Sequence, residues 1–181
     1  MSRAKIMILA GGTGGHVIPG LTIAKALEDA KCDITWIGTK GGIEEKLVPQ
    51  ANIKIEYITV MGLRGKSLME VLIAVKQLIQ SIFQSINLLM KYRPDVVIGM
   101  GGYVSGPGGI AAFLLRYPLV IHEQNSVPGT TNKFLARIAS SVLEAFPGSF
   151  RSKMNAKTIG NPIREEIALI EDPKKRLQDR N

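Results

Sequence analysis

Residues 6–10 form an apolar run that empties directly into GGTGGHVIPG at positions 11–20, and this junction constrains the fold more than any other stretch of the chain. A strand followed by a glycine-dense turn and an apolar-periodic segment begins a βα unit. It also turns backbone N–H groups toward whatever anion lies beyond the strand end. A phosphate-bearing ligand is therefore the first expectation. The spacing is neither the dinucleotide fingerprint GxGxxG nor a P-loop, yet adjacent glycines still let the main chain approach a diphosphate that side chains would obstruct. Thr13 either offers a hydroxyl to a phosphate or sugar or caps the turn. His16 sits at the start of the helix, where the dipole disfavours the imidazolium and leaves a neutral ring able to accept a proton. It is either a general base for a sugar hydroxyl or a hydrogen-bonding group that places the acceptor.

The same pattern repeats along the chain. Short apolar runs at 6–10, 34–37, 55–60, 96–98, 119–121, 141–145 and 156–159 alternate with helical segments at 19–30, 43–48, 68–92, 108–115 and 130–139. Such alternation predicts an α/β fold with a doubly wound parallel sheet, Rossmann-like in topology. Pro19 is expected near the first turn of its helix, and Pro94 closes the long one. Gly38, Gly99 and Gly160 each follow a strand, so with Gly11 they point to the carboxyl edge of the sheet, where ligands of open parallel sheets gather. Beyond Arg164 the charged stretch EEIALIEDPKKRLQDRN reads as a linker or stub. Residues 1–164 are thus expected to form one domain and 165–181 a connection.

Two further strand-end segments carry polar chemistry. GMGGYVSGPGG at 99–109 holds six glycines around Tyr103, Ser105 and Pro107, more than a simple turn requires, and reads as a second surface of backbone donors. HEQN at 122–125 follows the apolar PLVI, so these side chains emerge at the same edge. His122 is a ligand group or a supporting imidazole. Glu123 and Gln124 hold a sugar hydroxyl or tune a histidine, and Asn125 offers both donor and acceptor to a nucleotide or sugar.

Composition narrows the partners. Lys and Arg number 23 against 15 Asp and Glu, a formal charge of +8, which favours polyanions, anionic lipid surfaces or phosphorylated small molecules. Nucleic acid is disfavoured: aromatics make up 6%, no long run of consecutive basic residues occurs, and no base-reading motif is present. Two histidines and one cysteine, Cys32, at no zinc spacing argue against a metal site or a disulfide framework. The basic start and short apolar run at the N-terminus lack a cleavage site and read as the first strand. No stretch reaches the roughly 18 apolar residues of a spanning helix, so membrane contact is expected to be peripheral. The segment 68–92 is the candidate. Leu68, Leu72, Ile73, Ile79 and Phe83 give it a wider apolar stripe than one sheet contact needs, and Arg64 and Lys66 stand ready for phosphate headgroups.

Taken together, GGTGGHVIPG (11–20), IGTKGGIEEKLVP (37–49), GLRGK (62–66), GMGGYVSGPGG (99–109), HEQNSVPGTTNK (122–133) and GNPIR (160–164) resemble the N-terminal half of the MurG family of bacterial cell-wall glycosyltransferases. The resemblance implies the first of two Rossmann-like domains of a GT-B enzyme. Such an enzyme transfers N-acetylglucosamine from UDP-N-acetylglucosamine to the C4 hydroxyl of undecaprenyl-diphosphate-linked muramoylpentapeptide, with inversion and without a cofactor or metal. By the same resemblance Gly14, Gly15, Gly101, Gly102, Gly108 and Gly109 would cradle the acceptor diphosphate. Thr13, Gly14, Gly15, Asn125 and Arg164 would touch the donor, and His16 would be the base. Tyr103, Glu123 and Gln124 would line the cleft, with Glu123 counted beside His16 as catalytic and Tyr103, Ser105 and Gln124 among the residues that bind the acceptor. It further implies peripheral attachment to the cytoplasmic face of the inner membrane. It covers about half of a family member, so these 181 residues alone are expected to bind diphosphate ligands weakly and to turn over negligibly. The competing readings are a nucleotide-sugar epimerase or another GT-B transferase, and a non-catalytic half that works with a separate donor-binding domain.

Overall fold

The computed structural model describes residues 3–60, 68–163, 167 and 169–170, with no side-chain description for 68–72. Arg64, Lys66, Arg164 and nearly all of the expected 165–181 connection lie outside the described residues, as do the side chains of Leu68 and Leu72. Strands β1 (Lys5–Ala10), β2 (Asp33–Gly38), β3 (Lys54–Tyr57), β4 (Val96–Gly101), β5 (Leu119–Glu123), β6 (Ser141–Glu144) and β7 (Lys157–Thr158) alternate with helices. These helices are α1 (Gly14–Asp29), α2 (Glu44–Gln50), α3 (Leu68–Tyr92), α4 (Gly102–Leu114) and α5 (Thr130–Leu135). The strands form one parallel sheet in the order β3-β2-β1-β4-β5-β6-β7. The order reverses direction at β1, so the fold is doubly wound and its switch point lies between β1 and β4.

Side-chain alternation sends the strands into two cores. Met7, Leu9, Val97, Leu119 and Ile121 pack with Leu89, Val104, Ala111, Ala112 and Leu135 of α3, α4 and α5. Ile6, Ile8, Ala10, Trp36 and Met100 pack with Val17, Ala24 and Val48 of α1 and α2. Met7, Ile8, Leu9 and Ile37 are wholly buried, each worth about 1.5–3 kcal/mol of transfer free energy. Gly108 lets α4 lie directly on β1: a Cβ there would sit 2.7 Å from Leu9 Cδ1.

All seven predicted strands are present and α3 has the predicted limits, but α1 and α4 begin earlier than expected. Each starts inside its glycine cluster, at Gly14 and Gly102 rather than at 19 and 108, so Pro19 and Pro107 lie within their helices. Glycine costs about 1 kcal/mol in a helix, and packing of both helices on the sheet offsets it here. α5 stops at Leu135, short of the expected 139.

α3 leaves the expected apolar stripe of Ile73, Ile79 and Phe83 facing outward but turns two of its serines inward. Ser81 and Ser85 are buried, while Ile73, Ile79, Phe83 and Met90 are exposed. The serine hydroxyls donate to the carbonyls of Leu78 and Ser81 in their own helix, at 2.8 Å each, so facing inward leaves neither unsatisfied. α4, which packs against α3, ends in exposed Phe113 and Leu114. No helix among the described residues is long and apolar enough to cross a membrane.

Candidate functional site

The site is built where β1 and β4 end side by side. Ala10 pairs with Gly101 after a register shift that follows Leu9. From Ala10 the chain turns through Gly11–Thr13 into α1, whereas β4 runs into α4 with no intervening loop. That abrupt junction needs positive φ at Gly101 (106°) and Gly102 (76°), a region that disfavours L side chains. It also brings the two turns into backbone contact: a Cβ on Gly102 would lie 2.5 Å from the carbonyl oxygen of Gly11. Two helix N-termini therefore open beside one another. The amides of Gly14 and Gly15, and of Gly102 and Tyr103, are the first two of their helices and have no acceptor within them. Both dipoles add positive potential at the same edge. Thr13, Gly15 and Tyr103 are exposed there, and Gly14, His16 and Gly102 are half-buried. The Tyr103 ring lies against Gly12, where a Cβ would meet its Cε1 at 2.7 Å.

A chain of hydrogen bonds fixes the tautomers of both histidines. Gln124 Nε2 donates to the His122 carbonyl oxygen at 2.9 Å, which orients the amide with Oε1 toward His16. His16 Nδ1, 3.0 Å from that oxygen, must then carry the proton and donate it. In the neutral ring Nε2 is left as the acceptor. Gln124 Nε2 also donates to His122 Nδ1 at 3.0 Å, so His122 Nε2 carries its proton and donates to the Gly160 carbonyl at 3.1 Å. The His16 ring lies over Gly101, where a Cβ would be 2.9 Å from its Cε1. His122, 1% exposed, is a supporting imidazole rather than a ligand group.

Burial holds the His122 pKa below 6.5, against the opposing pull of the Gly160 carbonyl and the Glu123 charge. The unfolded chain therefore binds more protons than the folded one between that depressed value and 6.5. Folding stability is expected to fall as pH drops through 6.5, by at most about 1.4 kcal/mol per pH unit. Urea midpoints on either side of that pH check this. His122→Gln should flatten the slope in the window.

Three buried carboxylates shape the loops around the site. Glu44 accepts from the Gly12 amide (3.1 Å), the Thr39 amide (3.0 Å) and the Thr39 hydroxyl (2.8 Å), clamping the first glycine turn to the end of β2. Glu123 accepts from the Asn125 amide and Nδ2, the Gly129 amide and Asn132 Nδ2, at 2.8 to 3.1 Å. Glu144 accepts from the Gly148 and Phe150 amides and the Thr158 hydroxyl, each at 3.0 Å. Burial raises the Glu144 pKa, but these donors overcome it and hold the carboxyl below 4.5.

Several expected ligand residues are therefore reassigned. Glu123 is fully buried with its oxygens occupied by loop donors, so it positions Asn125 and Asn132 and does not face the cleft. Ser105 is fully buried; its hydroxyl receives the Gly101 amide at 3.0 Å and lies 2.8 Å from the Leu9 carbonyl, tying β1 to α4. Gly108 and Gly109 sit mid-helix against Leu9 and Leu135 and offer no surface to a diphosphate. Gln124 is 5% exposed and orients His16. Glu44 and Asn132 were not singled out in sequence. Glu44 stands in a charged Glu-Glu-Lys run that reads as solvated, and only its glycine flanks hint at burial. Lys91, near the end of α3, pairs with Glu56 at 3.1 Å.

Comparison with known proteins agrees with this architecture. Residues 6–144 match the glycosyltransferase family 28 N-terminal domain. The chain is 49% identical over 176 residues to the UDP-N-acetylglucosamine–N-acetylmuramyl-(pentapeptide) pyrophosphoryl-undecaprenol N-acetylglucosamine transferase of Vibrio vulnificus, covering 97% of this chain and 49% of that protein. The crystal structure of Acinetobacter baumannii MurG superposes with a TM-score of 0.78 at 38% identity, over 93% of this chain and 50% of that one. A Listeria monocytogenes protein described as a putative UDP-N-acetylglucosamine 2-epimerase superposes with a TM-score of 0.63 at 15% identity, over 82% of this chain and 41% of that one. That likeness is one of fold alone. The chain spans about half the length of the curated relatives it matches. With the sheet order, the paired glycine turns and these matches in agreement, the chain belongs to glycosyltransferase family 28, and residues 6–144 are its N-terminal domain.

Proposed function

We propose that this chain is the acceptor-binding half of an inverting transferase. The complete enzyme moves N-acetylglucosamine from UDP-N-acetylglucosamine to the C4 hydroxyl of undecaprenyl-diphosphate-linked muramoylpentapeptide in peptidoglycan synthesis. The observation that carries the reading is the backbone contact of the two glycine turns, with the His16 imidazole seated over Gly101. The Gly14, Gly15, Gly102 and Tyr103 amides bind the acceptor diphosphate through the helix dipoles. The C4 oxygen forms its new bond to the anomeric carbon as the bond to the UDP oxygen breaks. UDP leaves with that electron pair, and the hydroxyl proton passes to His16 Nε2. Because the leaving group is already a diphosphate, no second acid is required.

In this reading Thr13 and Asn125, both exposed, meet the donor, as does Arg164. Residues 1–164 form the acceptor unit and 165–181 lead toward the donor-binding half. The outward apolar face of α3, with Ile73, Ile79 and Phe83, rests on the anionic cytoplasmic surface of the inner membrane. By the same reading Arg64, Lys66, Leu68 and Leu72 take part in that membrane contact, which suits a lipid-linked acceptor. The test is a transfer assay in detergent with radiolabelled donor. The 181-residue chain alone should show negligible turnover, and adding the donor-binding half of a relative should restore it. Robust transfer by the chain alone, or none after completion, contradicts the proposal.

A further inference from the structure

Beside the site, between the loop after β5 and the segment after β6, lies a cavity of about 490 Å³. Lys133, Arg137, Arg151 and Lys153 line it, and no acidic residue does. All four are exposed, and none forms an ion pair among the described residues. Four like charges around one concavity repel each other and favour an anion within it. Its apolar wall comes from Pro128 and Phe150, both buried, with the more exposed Val127 and Met154, so the occupant has a non-polar body as well as a negative charge.

The walls are held in place. Glu123 fixes one through the Gly129 amide, and Glu144 fixes the other through the Gly148 and Phe150 amides. The Ser149 hydroxyl, 3.1 Å from the Asn125 carbonyl, joins them to the HEQN segment. None of the exposed apolar residues of α3 or α4 lines the cavity, which separates it from the face offered to lipid.

We propose that this cavity binds the carboxylate-bearing peptide of the acceptor. The inference rests on the acceptor-binding reading: a pentapeptide attached through its N-terminus keeps a free C-terminal carboxylate, which arginine recognises through two parallel N–H···O bonds.

The test uses the 181-residue chain with three probes: N-acetylpentaalanine with a free carboxylate, its C-terminal amide, and geranyl diphosphate. Affinities are read from NMR titrations. The free acid should bind at least about tenfold more tightly than the amide. The double variant Arg137→Gln/Arg151→Gln should lose about tenfold in acid binding while geranyl diphosphate binding stays unchanged, which also shows that the variant is folded. Equal binding of acid and amide, no peptide binding, or an unaffected double variant overturns the proposal while diphosphate binding keeps the acceptor reading intact. Absence of diphosphate binding overturns that reading and this proposal with it. If the double variant instead loses binding to phosphatidylglycerol vesicles and the peptide never binds, the cavity is a headgroup site and the proposal fails.

Discussion

His16→Ala is expected to reduce turnover by about 10²–10⁴-fold in the completed enzyme, with the KM for the lipid acceptor nearly unchanged. Gln124 holds the Nδ1 proton of His16, so Nε2 is the ring position able to take a proton from an attacking hydroxyl. Removing the ring removes proton transfer but leaves the amides that bind the diphosphate. A loss confined to kcat therefore marks a base. If KM rises while kcat holds, His16 only places the acceptor. Gln124→Leu should reproduce part of the kcat defect, because the ring then loses the acceptor that fixes its tautomer.

Gly102→Ala is expected to destabilise the domain by about 2–5 kcal/mol and to lower its melting temperature by roughly 5–15 °C. The new methyl meets strain at φ 76° and a backbone oxygen at 2.5 Å, which has no side-chain freedom to yield. Relief requires the two turns to separate, so whatever remains folded should also bind diphosphate poorly. Gly106→Ala is the matched control in the same helix. Its nearest neighbour would be Thr131 Cγ2 at 3.6 Å, ordinary contact, and the substitution should be neutral or stabilising by about 0.5–1 kcal/mol. Thermal melts of the two variants side by side separate local strain from a general intolerance of α4 to substitution.

Why some of this was legible in sequence and some was not follows from range. Buried parallel strands are short apolar runs between punctuating residues, so β1, β2 and β4 to β6 could be read locally. The starts of α1 and α4 could not, because glycines that normally mark turns are here the first residues of helices packed on the sheet. Ser105 and Glu123 look like surface ligands from their neighbours. Their burial depends on Leu9 and Asn132, which only the fold brings near. Glu44 is the converse case: it serves the site through Gly12, 32 residues away. The outward apolar stripe of α3 was legible, but the burial of Ser81 and Ser85 was not, because serine counts as polar in any periodic pattern while its hydroxyl can be satisfied by its own helix. Gly14, Gly15, His16, Gly102 and Tyr103 were read correctly as neighbours at one sheet edge, since strand ends and their following turns are fixed by topology.

The central claim is that the two helix N-termini act on one diphosphate. The most direct measurement is an amide-resolved NMR titration of the 181-residue chain with geranyl diphosphate. The account predicts that the Gly14, Gly15, Gly102 and Tyr103 amides shift together along a single saturation curve. Shifts confined to one turn, separate curves for the two, or no response from either would contradict it.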